Sequence, residues 1–165
     1  MSQHSETNFK NIALTGAIIT LLIVGLTCPM NAMAVDCYGA DVVDYGIYET
    51  DFVKYQNAPN TDRGKIELVF DKQLLQQTEY IPGKKGTKFG IRYVLNGDQE
   101  GQDVNILVKV LHEETVNEWM TTKKIGKAGF DGWQFNAESA LIHGNWTIQL
   151  HHEGMILAEK SFYVY

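Results

Sequence analysis

Residues 144–165, with the sequence GNWTIQLHHEGMILAEKSFYVY, are the stretch that decides the fold. Apolar side chains at Trp146, Ile148 and Leu150 alternate with polar ones, which is the pattern of a β-strand with one buried and one solvated face. Gly154 then supplies a tight turn, because glycine accepts a positive φ without steric cost. An aromatic and aliphatic return strand follows. The stretch therefore predicts a β-hairpin that packs one face against a core.

The return strand does not keep its alternation throughout. Ile156 and Ala158 place Lys160 on the same face as Phe162, although a charged side chain is not expected inside a core. Two explanations remain open at this point. Either a β-bulge falls near residues 159–161, or Lys160 lies at an open edge of the sheet.

Further strands precede the hairpin, with glycine-rich or proline-containing turns between them. Residues 51–64 carry several turn formers and are predicted to be a long surface loop. No helix longer than two turns and no internal repeat is indicated. The predicted strands are 43–49, 66–70, 89–95, 104–110, 120–125 and 132–136. Together they predict an all-β fold, an antiparallel β-sandwich of seven to eight strands with an immunoglobulin-like arrangement, and a small barrel is the alternative.

Residues 1–34 are predicted to be a secretory signal peptide. The run 12–27 has no charge, and small residues stand at the two positions that a signal peptidase reads, the second being Ala34. Cleavage leaves about 130 residues, 35–165, which suits a single β-sandwich domain. An uncleaved N-terminal membrane anchor is the alternative, although the run is short for a span. Lipidation at Cys28 is disfavoured, because the small residue expected before it is missing.

Charge and cysteine content narrow the range of partners. The net charge of −6 at pH 7 argues against a nucleic-acid partner, whose phosphates require a basic surface. After signal cleavage Cys37 is the single cysteine, so no disulfide framework can form. It lies near the new N-terminus, in a segment expected to be flexible. We expect a monomer, in which Cys37 is either an incidental thiol or the link of an intermolecular disulfide.

Three stretches resemble one known family. They are VDYGIYE at 43–49, IPGKKGTKFGIRY at 81–93, and GNWT at 144–147 continuing to FYV at 162–164. The chain resembles the secreted bacterial domains catalogued as domain of unknown function 3859, over nearly the whole region after the signal peptide. The resemblance implies a Gram-negative periplasmic setting and a sandwich fold. It implies no catalytic residue, because none is established for the family.

Three histidines are the candidate metal ligands. The hairpin can bring His143, His151 and His152 into a small volume together with Glu153, and imidazole with carboxylate suits zinc, copper or nickel. However, neighbouring residues on a strand point to opposite faces, which argues against chelation by His151 together with His152. Solvated side chains at a loop end are the preferred interpretation. No metal and no other cofactor is therefore predicted.

Two further features are candidates for a binding surface. Lys84, Lys85 and Lys88 can face an anionic glycan or lipid head groups, or they can be solvated turn residues. Lys123, Lys124 and Lys127 can extend this group. Trp119 stands among polar neighbours and is expected to be partly exposed, where an indole can stack on a sugar ring.

No stretch of the sequence supports catalysis. Ser139 and Ser161 lack the glycine-flanked turn of a hydrolase nucleophile, and the chain is not expected to be an enzyme. The sequence favours a non-enzymatic periplasmic domain that binds an envelope protein or a glycan, with no membrane span after signal cleavage. The alternative function is the handling of a small molecule or a metal by the hairpin histidines.

Overall fold

The structure is a computed structural model that describes residues 36–165. The predicted signal peptide, its cleavage site and Cys28 lie outside the described residues. Within 36–165, no helix has both the length and the apolar character that a membrane crossing requires.

Nine β-strands and one turn of 3-10 helix make up the described residues. The strands are β1 Cys37–Asn57, β2 Lys65–Gln76, β3 Tyr80–Ile81, β4 Lys88–Gly97, β5 Asp103–His112, β6 Thr115–Lys124, β7 Ala128–Gln134, β8 Gly144–His152 and β9 Met155–Val164. The 3-10 turn is Glu138–Ala140. The strand count exceeds the predicted seven to eight by a two-residue strand, β3, which is too short to show any alternation.

The strands form two sheets that pack face to face. One has the order β2-β1-β4-β7 and the other the order β3-β9-β8-β5-β6. Every pairing is antiparallel except that of β3 with β9. The core between the sheets contains the inward side chains of β4, β5 and β8, as alternation predicts. The predicted antiparallel β-sandwich is confirmed.

The closing hairpin forms as expected, from β8 and β9. It contains a bulge, and Lys160 lies at an open edge, so both explanations for the break in alternation apply. Leu150 pairs with Ala158 but His151 pairs with Ile156, so Leu157 is the extra residue of a bulge. The bulge lies upstream of the expected site. It turns Leu157 inward, 9% exposed, and leaves Ile156 55% exposed.

Lys160 also lies on an open edge. The short strand β3 covers β9 only at Tyr163 and Val164, so the edge beside Lys160 has no strand partner among the described residues. The ammonium forms an ion pair with Glu79 and lies 3.7 Å from the ring centroid of Tyr45. The ammonium group of Lys160 therefore lies at the sheet edge with partners, and it is not buried unpaired in the core.

Strand β1 is much longer than predicted, and this corrects two expectations. The strand continues past Glu49 to Asn57, so the first half of the predicted loop 51–64 is strand. Its first half pairs with β4, up to Ile47, and its second half pairs with β2. The polar composition of residues 54–57 misled the prediction, because backbone pairing with β2 holds these residues in a strand without burial of every second side chain.

The hairpin formed by the second half of β1 and by β2, residues 48–76, is called the β1–β2 arm below. It reaches from its own sheet to β6, the edge strand of the other sheet. The amide of Gln56 donates to the carbonyl of Met120 at 2.9 Å, and the backbone N–H of Asp62 donates to Oδ1 of Asn117 at 2.8 Å. The N–H of Glu118 donates to the carbonyl of Asn60 at 3.0 Å. The arm thus closes one side of the sandwich.

Cys37 does not lie in a flexible terminus, so that prediction was wrong. It is the first residue of β1, pairs with Gly97 and is 0% exposed. Burial raises the pKa of its thiol, which lowers the fraction of reactive thiolate. A buried, protonated thiol is a poor partner for an intermolecular disulfide.

Candidate functional site

The candidate site is a cleft of about 130 Å³ between the β1–β2 arm and the two sheet edges that it spans. One wall is β2, residues 65–69 with Lys72, and the opposite wall is β7, residues 130–134. Trp119, Thr121 and Lys123 of β6 line its inner end. Strands β2 and β7 are the two opposite edges of one sheet. Both strands line this cleft, and β1 carries β2 beyond the last residue that it pairs with β4, Ile47. We call this space the arm cleft.

Basic side chains outnumber acidic ones around the arm cleft. Five cations and two carboxylates line it: Arg63, Lys65, Lys72, Lys88, Lys123, Glu67 and Asp131. Lys88 pairs with Glu67 at 3.5 Å, and Lys123 pairs with Asp131 at 2.9 Å. Both carboxylates are thus engaged, and the other three cations have no ion pair among the described side chains. The arm cleft is locally basic on a chain whose net charge is −6.

A buried network around Asp131 forms the inner wall. Its carboxylate is 8% exposed, accepts a hydrogen bond from the Tyr93 hydroxyl at 2.6 Å and pairs with the Lys123 ammonium. Lys123 also donates to the carbonyl of Phe130 at 3.0 Å. Burial, followed by the charge of Asp131, raises the pKa of Tyr93, so its hydroxyl remains a hydrogen-bond donor. The network fixes the position of the Lys123 charge.

Three side chains that line the arm cleft carry buried polar atoms without a partner among the described residues. They are Nε1 of Trp119, Nε1 of Trp133 and Oε1 of Gln134. Buried polar atoms in native proteins are nearly always hydrogen-bonded, to protein, water or ligand. An unpaired buried donor or acceptor is destabilising, so we expect water or a bound group to supply hydrogen bonds to these two donors and one acceptor.

The lysines near the arm cleft are electrostatically coupled. Burial, and then the neighbouring charge of Lys123, lowers the pKa of Lys72, while Asp131 acts in the opposite direction. Burial also lowers the pKa of Lys88, and Glu67 opposes that effect. Lys72 and Lys123 are therefore close enough to repel each other, and Asp131 only partly compensates for the repulsion.

The three lysines Lys84, Lys85 and Lys88 line one surface depression, and the binding role predicted for them stays a prediction. Lys84 and Lys85 are exposed in the turn before β4, whereas Lys88 is turned toward Glu67 and Thr50. The three lysines that were expected to extend the group have carboxylate partners: Lys123 with Asp131, Lys124 with Asp103 and Lys127 with Glu100. Lys123 and Lys124 are neighbours on a strand and so point to opposite faces. Lys123 points between the sheets, and Lys124 points to solvent.

The expectation that Trp119 is partly exposed was wrong. Its side chain is 5% exposed, because Trp119 lies on the inner face of β6 together with Asn117, while Glu118 and Met120 point outward. A buried indole cannot act as an open platform for sugar stacking. Its N–H nevertheless lies in the wall of the arm cleft. Trp133 and Trp146 pack in or against the core, as expected.

The three candidate metal-binding histidines do not come together. His143 precedes β8 and His151 is near its end, so eight residues, or roughly 26 Å of strand, separate them. His151 contacts the amide oxygen of Gln149 at 2.9 Å, and His152 contacts the carbonyl of Asn105 at 3.0 Å. Among residues 36–165, no group of three potential metal ligands is found. The hairpin is extended, and it separates these side chains instead of gathering them.

The sequence does not support a catalytic motif at His112–Glu114, and the burial of His112 was not predicted. His112 is 4% exposed at the end of β5 and stacks on Trp146, with ring centroids 4.0 Å apart. Neither ring nitrogen has a partner within the described part of the chain. Burial lowers its pKa, and the charges of Asp62 and Glu113 only partly oppose this. The signal was available, because His112 continues the inward parity of Val104.

We predict that His112 makes the domain less stable in mild acid. Its folded pKa lies below the ordinary value of 6.5, so the unfolded chain binds the proton more readily. Stability is therefore full above about pH 6.5 and falls as the pH drops from there toward the folded pKa, by at most about 1.4 kcal/mol over the first unit. His112→Phe keeps the aromatic stacking and removes the titration. Urea denaturation at pH 7.5 and 5.5 should show a smaller loss in this variant, and equal losses in both proteins would contradict the prediction.

Two packed antiparallel sheets with a core between them define the class of protein, an immunoglobulin-like β-sandwich. A solved structure supports this assignment: an immunoglobulin-like protein from Pseudomonas aeruginosa is similar with a TM-score of 0.51, at 24% identity, over 76% of this chain and 96% of that chain. This similarity concerns the fold alone. The chain belongs to the family described as Domain of unknown function (DUF3859), which matches residues 39–164 and confirms the resemblance found in the sequence. No curated protein matches the chain.

Proposed function

We propose that this protein is an exported, non-enzymatic binding domain of the bacterial envelope, and that it holds one group of a protein or polymer partner in the arm cleft. The observation that carries the proposal is the set of unpartnered polar atoms on Trp119, Trp133 and Gln134 around one cavity. A partner group that supplies hydrogen bonds to these atoms removes the cost of leaving them unpaired.

The size of the arm cleft favours a group of a larger partner over a whole small molecule. Small-molecule sites usually measure about 300–1,000 Å³, whereas a cavity near 150 Å³ holds something the size of benzene. At about 130 Å³, the arm cleft accepts a single side chain or substituent. The rest of the partner would lie across its mouth, between the arm and β6.

The chemistry of the described side chains supports a binding role over catalysis. Cys37 is buried, and the hydroxyl of Ser161 contacts that of Thr147 at 3.0 Å instead of a general base. The Asp131 carboxylate is held by Tyr93 and Lys123. Export is supported by the sequence of residues 1–34, which has the uncharged run and small-residue cleavage site of a signal peptide.

Site-specific photo-crosslinking in living cells tests this proposal. A photoreactive amino acid at Thr121, which lines the arm cleft, should give a covalent product with an envelope protein or polymer. The matched control is Val43, which is 55% exposed on β1 and does not line the cleft. We expect the product from position 121 alone, in the fraction released by osmotic shock. Products of equal yield at both positions, or none at 121, would overturn the proposal.

A further inference from the structure

The polar groups that the arm cleft offers to a partner are mainly donors. An indole N–H can only donate, and an ammonium group carries three donors and no acceptor. The carboxylates that line the arm cleft are already engaged, Asp131 by Tyr93 and Lys123, and Glu67 by Lys88. Gln134 provides one amide, whose oxygen and nitrogen can exchange places by rotation of the side chain. A group that matches this wall must therefore be rich in acceptors.

The charge of the arm cleft also favours a group that is rich in acceptors, and in particular a negative one. Lys72 has no ion-pair partner among the described side chains. Lys72 and Lys123 both line the arm cleft beside Phe130: the Lys72 ammonium lies 5.9 Å from the ring centroid of Phe130, and Lys123 donates to the Phe130 carbonyl at 3.0 Å, so their charges repel. A negative group between these two ammonium groups would remove that repulsion and form two charge-assisted hydrogen bonds. A neutral group would leave the repulsion in place.

We propose that the group held in the arm cleft is an oxyanion, the carboxylate or phosphate of a larger partner, bound by Lys72, Lys123 and the indole N–H groups of Trp119 and Trp133. This inference rests on the proposed function, because it names the chemistry of the group that the arm cleft receives. A carboxylate or a phosphate is small enough for the cavity of about 130 Å³. Acidic sugars and phosphorylated sugars are two sources of the same chemistry.

Titration of the full-length protein with three sugars tests whether binding depends on the charge of the sugar or on the shape of its ring. The probes are glucuronate, glucose 6-phosphate and glucose, and binding is followed by tryptophan fluorescence and calorimetry. At least one charged sugar should bind saturably, and glucose should bind at least tenfold more weakly. The preferred anion identifies the source as carboxylate or phosphate. Equal binding of glucose, or no binding of either anion, would overturn the inference.

Matched variants locate the site. Lys72→Met should weaken anion binding by about tenfold, which corresponds to the loss of one charge-assisted hydrogen bond. Lys84→Met, which removes an exposed lysine outside the arm cleft, should leave it unchanged. Trp133→Phe keeps an aromatic ring but loses the N–H, and should also weaken binding. An equal effect of Lys72→Met and Lys84→Met would refute the assignment.

The two proposals fail in distinguishable ways. If the crosslink from Thr121 forms but a neutral sugar binds as well as a charged one, the oxyanion is wrong and the binding function stands. If the crosslink does not form and no probe binds, both proposals are wrong.

Discussion

Replacement of Trp146 by alanine is expected to destabilise the domain by about 3–5 kcal/mol. The side chain is 1% exposed, and its ring packs against those of Phe89, Phe135 and His112. Truncation removes this buried area and leaves a cavity that three aromatic rings cannot readily refill. It also removes the indole hydrogen bond to the carbonyl of Ile142, 2.9 Å long. Urea denaturation followed by circular dichroism measures the loss.

The control for this prediction is the neighbouring residue on the same strand. Asn145→Ala changes an exposed side chain on the outer face of β8 and should alter stability by less than about 0.5 kcal/mol. The two substitutions test the strand alternation directly, because they differ by one position in the chain. Similar losses in both variants would show that Trp146 does not have the packing described.

Local alternation made the closing hairpin and the central strands predictable from the sequence. Every second residue of β8 from Trp146 to Leu150 is buried, and the same holds for β5 from Val104 to His112. In such strands one face rests on the core, so burial repeats every second residue along the chain. The family resemblance came from the closing hairpin, from residues 43–49 of β1 and from the segment 81–93 that leads into β4.

The arm cleft could not be predicted, because it depends on contacts between distant parts of the chain. Its walls come from β2, β6 and β7, and β1 carries β2 beyond the last residue that it pairs with β4. Residues 51–57 lack alternation, which made a strand there resemble a loop. A contact such as that of Gln56 with Met120 joins residues 64 positions apart, and no local pattern records it.

The error at Trp119 has a similar physical cause. Composition suggested exposure, because polar residues surround Trp119 in the sequence. In a strand, however, the residues on either side point to the opposite face, so Glu118 and Met120 say nothing about the environment of the indole. Asn117 shares its face and is also buried, since it binds the backbone of the arm at Asp62. Asn117 therefore occupies the inner face although it is polar, because the arm supplies its hydrogen-bond partner.

Asp131→Ala is expected to destabilise the domain by about 3–5 kcal/mol, the loss usual when one partner of a buried ion pair is removed. The side chains of Asp131 and Lys123 are 8% and 18% exposed, so water can replace the carboxylate only in part. The substitution also leaves the hydroxyl of Tyr93, whose residue is 0% exposed, without its acceptor. Urea denaturation at pH 7 measures the change.

An exposed ion pair of almost the same length provides the control for Asp131→Ala. Asp103 and Lys124 lie 2.8 Å apart, but their side chains are 62% and 54% exposed, so Asp103→Ala should change stability by at most about 1 kcal/mol. The double variant Asp131→Leu with Lys123→Met removes both charges and should recover much of the loss, because no buried charge is then left unpaired. A double variant no more stable than Asp131→Ala would mean that the carboxylate acts mainly through Tyr93 and not by compensating Lys123.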